Sequence, residues 1–367
     1  MATMASRLRT RLTAWGVTPR LVTMSASALV VFALLLTMMT VPVPYGVQAP
    51  GPIVDTLGEV DGVELISVEG AETYETSGEL FLTTVTTAGG PGYLVDAGAV
   101  IKGWLSPTTR VAPVEAFFDI SQTQEEIDDA STQQMLTSQQ NAAVSALTEL
   151  GYDVPAELTV VGTQPGSGAD GVAEDGDLIT GIETAAGRVD VITFAHLNDA
   201  LLDTEPGTTV QLVVDRDGEE TSLPIITGDD GQGRSVLGVF LSGEFEFPVD
   251  VDIQIDRIGG PSAGTMFALG IIDKLTPGEM TGGYSIAGTG TISLGGLVGA
   301  IGGIRQKLAG ARAGGAEYFL APQANCEEVV GHVPGGLQVF SVSTLEQART
   351  AVEAIAAGDT TGLPTCG

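Results

Sequence analysis

The spacing of apolar and polar positions divides the chain into elements of different kinds. The first signal is Leu21–Val43, LVTMSASALVVFALLLTMMTVPV, an apolar run without a charge. Its length predicts one membrane-spanning helix. From Gly46 to about Phe118 the pattern breaks into short β-rich runs, such as Glu79–Thr87, ELFLTTVTT, divided by Gly and Pro. Thr123–Gly151 reads as a helix, with acids near its start and glycine at its end, as helix termini prefer. In residues 157–183 two apolar strands flank a turn-rich loop containing Gly166, Gly168, Gly171 and Gly176. A helix follows, with Phe194, Leu197 and Leu201 on one face, and then a strand, TTVQLVVDRDG. Val249, Val251, Ile253 and Ile255 alternate with polar residues over Val249–Asp256, the period of a half-buried strand. A glycine turn leads into a helix expected from about Ala263 to Leu275, and another helix begins near Gly303.

Composition narrows the function classes. At 367 residues the chain is long enough for two or three domains, and 43% hydrophobic content allows sizeable cores. The net charge of −31, 46 acids against 15 bases, excludes a nucleic-acid footprint and reads as a solvated exterior. Arg7, Arg9, Arg11 and Arg20 precede or open the apolar run, and no Lys or Arg follows until Lys102. The positive-inside bias predicts a cytoplasmic N-terminus and an extracytoplasmic remainder. A cleaved signal peptide is the rival reading, against which the run is long. Cys326 and Cys366 make no zinc pattern; one disulfide and two unpaired thiols both remain open.

Candidate chemistry centres on Arg257–Leu275, RIGGPSAGTMFALGIIDKL. Ser262 falls at a strand-to-helix turn, where unpaired N–H groups of the helix start would face an oxyanion. A purely structural loop fits the same residues. Gly260-Pro261-Ser262-Ala263-Gly264 also satisfies G-x-S-x-G, the nucleophile elbow of α/β-hydrolases. That reading needs a downstream histidine, and His332 is the only one, in a tail short for the remaining strands of such a fold; His196 sits in a helix on a structural face. Lysine is the other base, and the chain has three: Lys102, Lys274 and Lys307. Ile304, Leu308 and Ala311 form an apolar stripe that includes Lys307, with Arg305 and Gln306 expected elsewhere. A lysine buried there loses hydration and becomes a neutral amine. A snorkelling lysine whose stem covers apolar surface fits as well.

Two resemblances add to this reading. The order of elements and the phrase GSGAD…EDGDLITGI over residues 150–228 resemble a PDZ domain of the bacterial protease-associated type, which implies capture of an extended peptide; a spacer that binds nothing is the plain alternative. GGPSAGTMFALGIIDKL followed by AGTGTISLGGLVGAIGGIRQKLAGARAGGAEYFLAP resembles the proteolytic domain of Lon proteases over residues 238–358. That resemblance implies Ser262 as nucleophile, Lys307 as general base and Thr289 as the residue hydrogen-bonding the lysine amine. The implied causes of a depressed lysine pKa are burial, a hydrogen bond from Thr289 to the amine, and the helix start near Gly303.

The whole layout resembles membrane-anchored PDZ-containing Lon-like proteases of bacteria. It implies an α+β multidomain chain: a cytoplasmic N-terminus (1–20), a transmembrane helix (21–43), a juxtamembrane β-rich region and helix (44–149), a PDZ-like domain (150–228) and a Lon-type α/β domain (238–358). Polypeptide substrates, drawn from membrane or secreted proteins, are implied, with no cofactor, no metal and no nucleic acid, and with a homo-oligomer, hexameric by resemblance. Two departures stand out. Cytoplasmic Lon enzymes usually carry an acid immediately before Gly-Pro-Ser, where this chain has Gly259, and no G-x-x-x-x-G-K-[ST] phosphate loop occurs, so ATP-independent hydrolysis is expected. A catalytically inactive anchored PDZ adaptor and a Ser-His hydrolase are the competing functions.

Overall fold

The computed structural model describes residues 18–60, 62–231, 233–255 and 258–367. Arg7, Arg9, Arg11 and most of the expected cytoplasmic segment lie outside the described residues, as does Asp256 at the end of the expected strand. The chain divides into two compact units, Met1–Pro50 with Val85–Ile127, and Gly51–Thr84 with Asp128–Gly367.

Helix α1 spans Pro19–Thr40. Thr18 caps it by accepting the Leu21 N–H, and Pro19 occupies the first helical position, where a missing N–H costs nothing. The helix stops short of the expected Val43. Pro42 and Pro44 cannot continue it, and Pro42–Val43 instead pairs with Val95–Asp96. Arg20–Thr40 has a mean hydropathy of 2.3 and is fully exposed, long and apolar enough to cross a membrane.

Strands β1 (Tyr45–Asp55), β2 (Ile66–Glu69) and β3 (Glu79–Ala88) follow, then helix α2 (Ala97–Leu105) and strand β4 (Arg110–Pro113). In the first unit Tyr45–Gln48 of β1 pairs antiparallel with β4. Helix α2 is absent from the β-rich pattern read in the sequence. Asp96 starts it by accepting the Ala99 N–H at 2.7 Å. Gly103, a poor helix former, is required because a Cβ there would lie 2.6 Å from Val111.

Helix α3 (Gln124–Glu149) opens with Thr123 and Glu126 capping each other's N–H groups, a capping box. Strands β5 (Ala156–Thr163), β6 (Leu178–Thr184) and β7 (Gly187–Asp190), helix α4 (Phe194–Leu202), and strands β8 (Thr209–Arg216), β9 (Glu219–Ile226) and β10 (Val239–Phe245) come next. They build an antiparallel sheet in the order β9-β8-β6-β5-β10, with β7 on β6. Leu197 of α4 is buried on this sheet's core, with Phe194 and Leu201 packed beside it. In the Glu-Asp-Gly-Asp turn, Asp177 is buried and receives Arg216 through Nε at 2.6 Å and Nη2 at 2.7 Å. That bidentate pair lowers the carboxyl's pKa and fixes the turn-rich loop.

Strand β11 (Asp250–Ile253) pairs antiparallel with β2. Helix α5 (Gly264–Leu275), strand β12 (Ser285–Gly288), helix α6 (Ile304–Ala313), strands β13 (Tyr318–Pro322) and β14 (Gln338–Val342), and helix α7 (Leu345–Ala356) complete the chain. Their sheet is parallel in the order β14-β13-β12-β3, with Gly288 opposite both Leu320 and Leu82. β2 and the Glu79–Thr84 part of β3 therefore enter the same compact unit as the serine turn, although they precede it by well over a hundred positions. Cys326 and Cys366 are disulfide-bonded, closing a separation of 40 residues.

Every residue of α5 is buried, including Asp273. Its Oδ1 accepts the Met280 N–H at 3.3 Å, while Oδ2 has no partner. Burial pushes the carboxyl from 3.8 up to about 6. The folded state thus holds a proton that the unfolded chain releases first, so stability is highest below the unfolded value and falls as pH rises through about 6. At ~1.4 kcal/mol per pK unit the loss is on the order of 3 kcal/mol. Asp273→Asn, which keeps the Met280 acceptor, should flatten this slope and raise the melting temperature at pH 8 relative to pH 4. Denaturant unfolding of both proteins across that range tests it; parallel pH profiles would remove Asp273 as the cause.

Candidate active site

Ser262 sits in the turn before α5, and each flanking residue is held by a different element. Gly260 has φ +84°, a left-handed conformation that favours glycine. Its N–H donates to the Ser131 carbonyl at 3.0 Å, and the Pro261 carbonyl accepts from Ser138 Oγ at 3.0 Å. Ser131 and Ser138 lie two turns apart on one face of α3. A Cβ on Gly264 would meet Ile292 at 2.7 Å and Ser138 at 2.8 Å. The G-x-S-x-G pattern is therefore conformational at its first glycine and steric at its second.

The far side of the turn is tied to the end of β12. The Ser262 carbonyl accepts both Thr289 Oγ1 and the Gly290 N–H at 2.9 Å. The Gly290 carbonyl accepts the Thr265 N–H at 3.2 Å. Gly290 must lack a side chain, because a Cβ would lie 2.5 Å from Thr265 Oγ1. Among the described residues the N–H groups of Ser262, Ala263 and Gly264 have no acceptor. Three donors at the start of a buried helix thus remain available beside the hydroxyl.

Lys307 reaches this turn from α6. Gly303 starts that helix with φ +72°, and Ile304, Leu308 and Ala311 are fully buried as the stripe predicts. Lys307 is 2% exposed, which removes the snorkelling reading. Arg305 is exposed, whereas Gln306, expected off the stripe, is buried as well. Lys307 Nζ lies 2.7 Å from Ser262 Oγ and 2.8 Å from Thr289 Oγ1. Among the described residues no carboxylate pairs with it. Burial alone brings its pKa from 10.5 down to about 7.

The direction of the threonine bond differs from the expected one. The single Thr289 hydroxyl proton goes to the Ser262 carbonyl, so Lys307 donates to Thr289 Oγ1. That bond favours the ammonium and opposes the depression caused by burial. It also orients the amine. With one N–H directed at Thr289, the lone pair of a neutral Nζ can face the Ser262 hydroxyl.

Neither histidine joins the site. His332 is exposed and contacts the Val330 carbonyl, and His196 accepts from the Ile192 N–H at the start of α4. Among the described residues no cluster of His, Cys, Asp or Glu converges as metal ligands do. Ser131 and Ser138 were not singled out by sequence; their seven-residue spacing on a predicted helix was the available signal.

Gly259 has a steric reason. A Cβ there would stand 2.1 Å from Ser131 Oγ and 3.1 Å from Ser131 Cβ, so α3 fills the space a side chain needs. Gly259→Asp should therefore force Ser131 to shift and destabilise the fold by up to about 1 kcal/mol, less than overpacking of a core costs. Combining it with Ser131→Gly should recover part of the loss. Urea unfolding of the single and double variants measures both; an unchanged stability in Gly259→Asp would contradict this packing.

Residues 256–353, which contain Ser262, Thr289 and Lys307, match the Lon protease (S16) C-terminal proteolytic domain. The segment is similar to Lon protease 2 of Bacillus subtilis, 33% identical over 105 residues, covering 27% of this chain and 18% of that protein. It is also similar to the Lon protease of Clostridioides difficile, 37% identical over 106 residues, covering 28% of this chain and 13% of that protein. The chain thus spans less than a fifth of the length of these curated relatives. The PDZ domain of an SdrC-like protein from Listeria monocytogenes aligns at 22% identity with a TM-score of 0.21, covering 24% of this chain and 88% of that one. The segment that carries the buried lysine and the serine turn is, by sequence, similar to the proteolytic domains of Lon proteases.

Proposed function

We propose that the protein is a serine-type endopeptidase in which Ser262 is the nucleophile and Lys307 its general base. The observation that carries this reading is the 2.7 Å separation of Ser262 Oγ from a buried Lys307 Nζ whose pKa falls to about 7. Near neutral pH a large share of such an amine is unprotonated. Ser262 Oγ attacks the scissile carbonyl carbon as its proton passes to Nζ. The carbonyl oxygen becomes an oxyanion beside the free N–H groups of the turn, and each such donor is typically worth about 3 kcal/mol or more in the transition state. The new ammonium is steadied by Thr289 Oγ1, then gives its proton to the leaving amine as the C–N bond breaks. Water repeats the sequence on the acyl-serine and restores both groups. No step uses a nucleotide. The assembled contact speaks against the inactive-adaptor reading.

The surrounding modules fit this chemistry. Polypeptide capture is assigned to the sheet and α4 within residues 150–228, extended to β10, which among the described residues pairs with β5 alone and so offers an open edge for an added strand. The proteolytic module is assigned to residues 238–358 together with the strands that join its sheet. Helix α1 serves as a single membrane anchor with its N-terminal arginines inside, and residues 44 onward lie outside. The Cys326–Cys366 disulfide supports an extracytoplasmic setting, because such bonds persist in oxidising compartments.

Cleavage of an unstructured peptide, followed against pH, tests the dyad. Activity requires neutral Lys307, so it should rise with pH along a limb centred near 7. Ser262→Ala, Lys307→Ala and Lys307→Arg should each lose about 10³-fold or more, the last because guanidinium stays protonated. Thr289→Val removes an acceptor that favours the ammonium. It should slow cleavage about tenfold to a hundredfold, the worth of one charged hydrogen bond, and move the limb to lower pH. Circular dichroism confirms folding of each variant. A folded Lys307→Arg protein with near wild-type rate would defeat the assignment.

A further inference from the structure

Within the first unit, one apolar surface is not explained by the proposed chemistry. Tyr93 is 68% exposed, Leu94 55%, Trp104 63% and Leu105 82%. These are two aromatic and two aliphatic side chains at the ends of a single short segment, far more than scattered surface apolars require. The segment is also poor in charge. Between residues 88 and 109 the only acid is Asp96, already used to cap α2, and the only base is Lys102.

The backbone places this segment at the exit of α1. The Ala97 N–H donates to the Val41 carbonyl at 2.9 Å. Pro42–Val43 pairs with Val95–Asp96, Pro42 opposite Asp96. A Cβ on Gly98 would lie 3.2 Å from the Met39 carbonyl, so α2 packs directly on the last turn of α1. The exposed apolar surface of α1, through Met38, Met39 and Val41, therefore continues onto Leu94 and α2. Trp104 stands edge-on to Tyr45 with ring centroids 6.2 Å apart, which adds a third aromatic residue at the same level of the chain. Tyr and Trp concentrate where bilayer meets water, since each joins an apolar body to a polar tip. Lys102 is exposed on the same helix, where a long stem lets an ammonium reach lipid phosphates.

We propose that residues 93–105 form an interfacial foot: Tyr93, Leu94, Trp104 and Leu105 insert into the outer leaflet's headgroup region, with a lipid bilayer as the partner. The inference rests on the reading of α1 as a membrane anchor and goes beyond it. It assigns the surface beyond the anchor to lipid, so the first unit is docked on the membrane rather than tethered above it.

The test uses the full chain in phospholipid vesicles. Trp15 and Trp104 are its two tryptophans, so Trp15→Phe leaves Trp104 as the sole reporter. Vesicles carry lipids brominated either near the headgroup or near the chain end. Trp104 emission should be blue-shifted, and quenched more by the shallow bromines than by the deep ones. Leu105→Glu, at the most exposed of the four positions, should lose most of that quenching and red-shift the emission while leaving short-peptide hydrolysis unchanged. Flotation after alkaline wash separates the two readings. A chain that fails to float overturns the anchor and the foot together. A chain that floats with Trp104 unquenched overturns the foot alone, and so does shielding of Trp104 by crosslinking to a second copy.

Discussion

A buried amine with no counter-ion among the described residues is the constraint around which the site is arranged. Lys307 is 2% exposed and, among the described residues, its amine meets two hydroxyl oxygens. Holding an ammonium there is unfavourable, and the fall from 10.5 to about 7 measures the penalty. At ~1.4 kcal/mol per unit it is on the order of 5 kcal/mol near neutrality. The sign follows from linkage. The unfolded chain binds this proton more tightly, so the penalty shrinks as pH climbs from about 7 toward 10.5. A structural role could be met by leucine at far lower cost, which is why an unpaired buried lysine beside a serine points to chemistry.

The amine can act only if the serine is held against it, and that depends on parts of the chain distant in sequence. One side of the turn hangs on α3 through Ser131 and Ser138. The other side hangs on the end of β12 through Thr289 and Gly290. β12 is in turn flanked by β13 and β3. Displacing α3 or β3 would move the hydroxyl without touching either catalytic candidate. α5 has no exposed face at all, so the turn cannot relax by shifting the helix behind it.

Much of this was legible from local signals. The alternation at 249–255, the apolar run after Ser262 and the stripe at Ile304, Leu308 and Ala311 each report a face, and a face is a property of neighbours in sequence. The Lys307 position on that stripe was readable for the same reason. What was not legible involves partners distant in sequence or competing propensities. β3 looked like one β-rich run among several, and nothing local says that it lies beside β12. Helix α2 was hidden by Gly98 and Gly103, which are needed for close packing and disguise a helix as a loop. The end of α1 was set by prolines that the hydropathy run passed over. The Thr289 bond was expected, but its direction depends on the Ser262 carbonyl claiming the only hydroxyl proton, which no spacing reveals.

The overall charge sharpens the same constraint. With 46 acids in 367 residues, the fold must keep carboxylates away from Lys307. A single carboxylate at about 4 Å would attract an ammonium by roughly 4 kcal/mol at an effective dielectric of about 20, enough to cancel most of the depression. Among the described residues the amine instead meets the hydroxyls of Ser262 and Thr289. Gly259 belongs to that arrangement in a steric sense: Ser131 lies where its Cβ would go, and the residue before Gly-Pro-Ser carries no charge. The acid that the helix behind the turn does carry, Asp273, has its own pKa raised to about 6 by burial. Burial thus weakens ionisation of either sign at these two positions, and at Lys307 that effect leaves a neutral amine within reach of a hydroxyl.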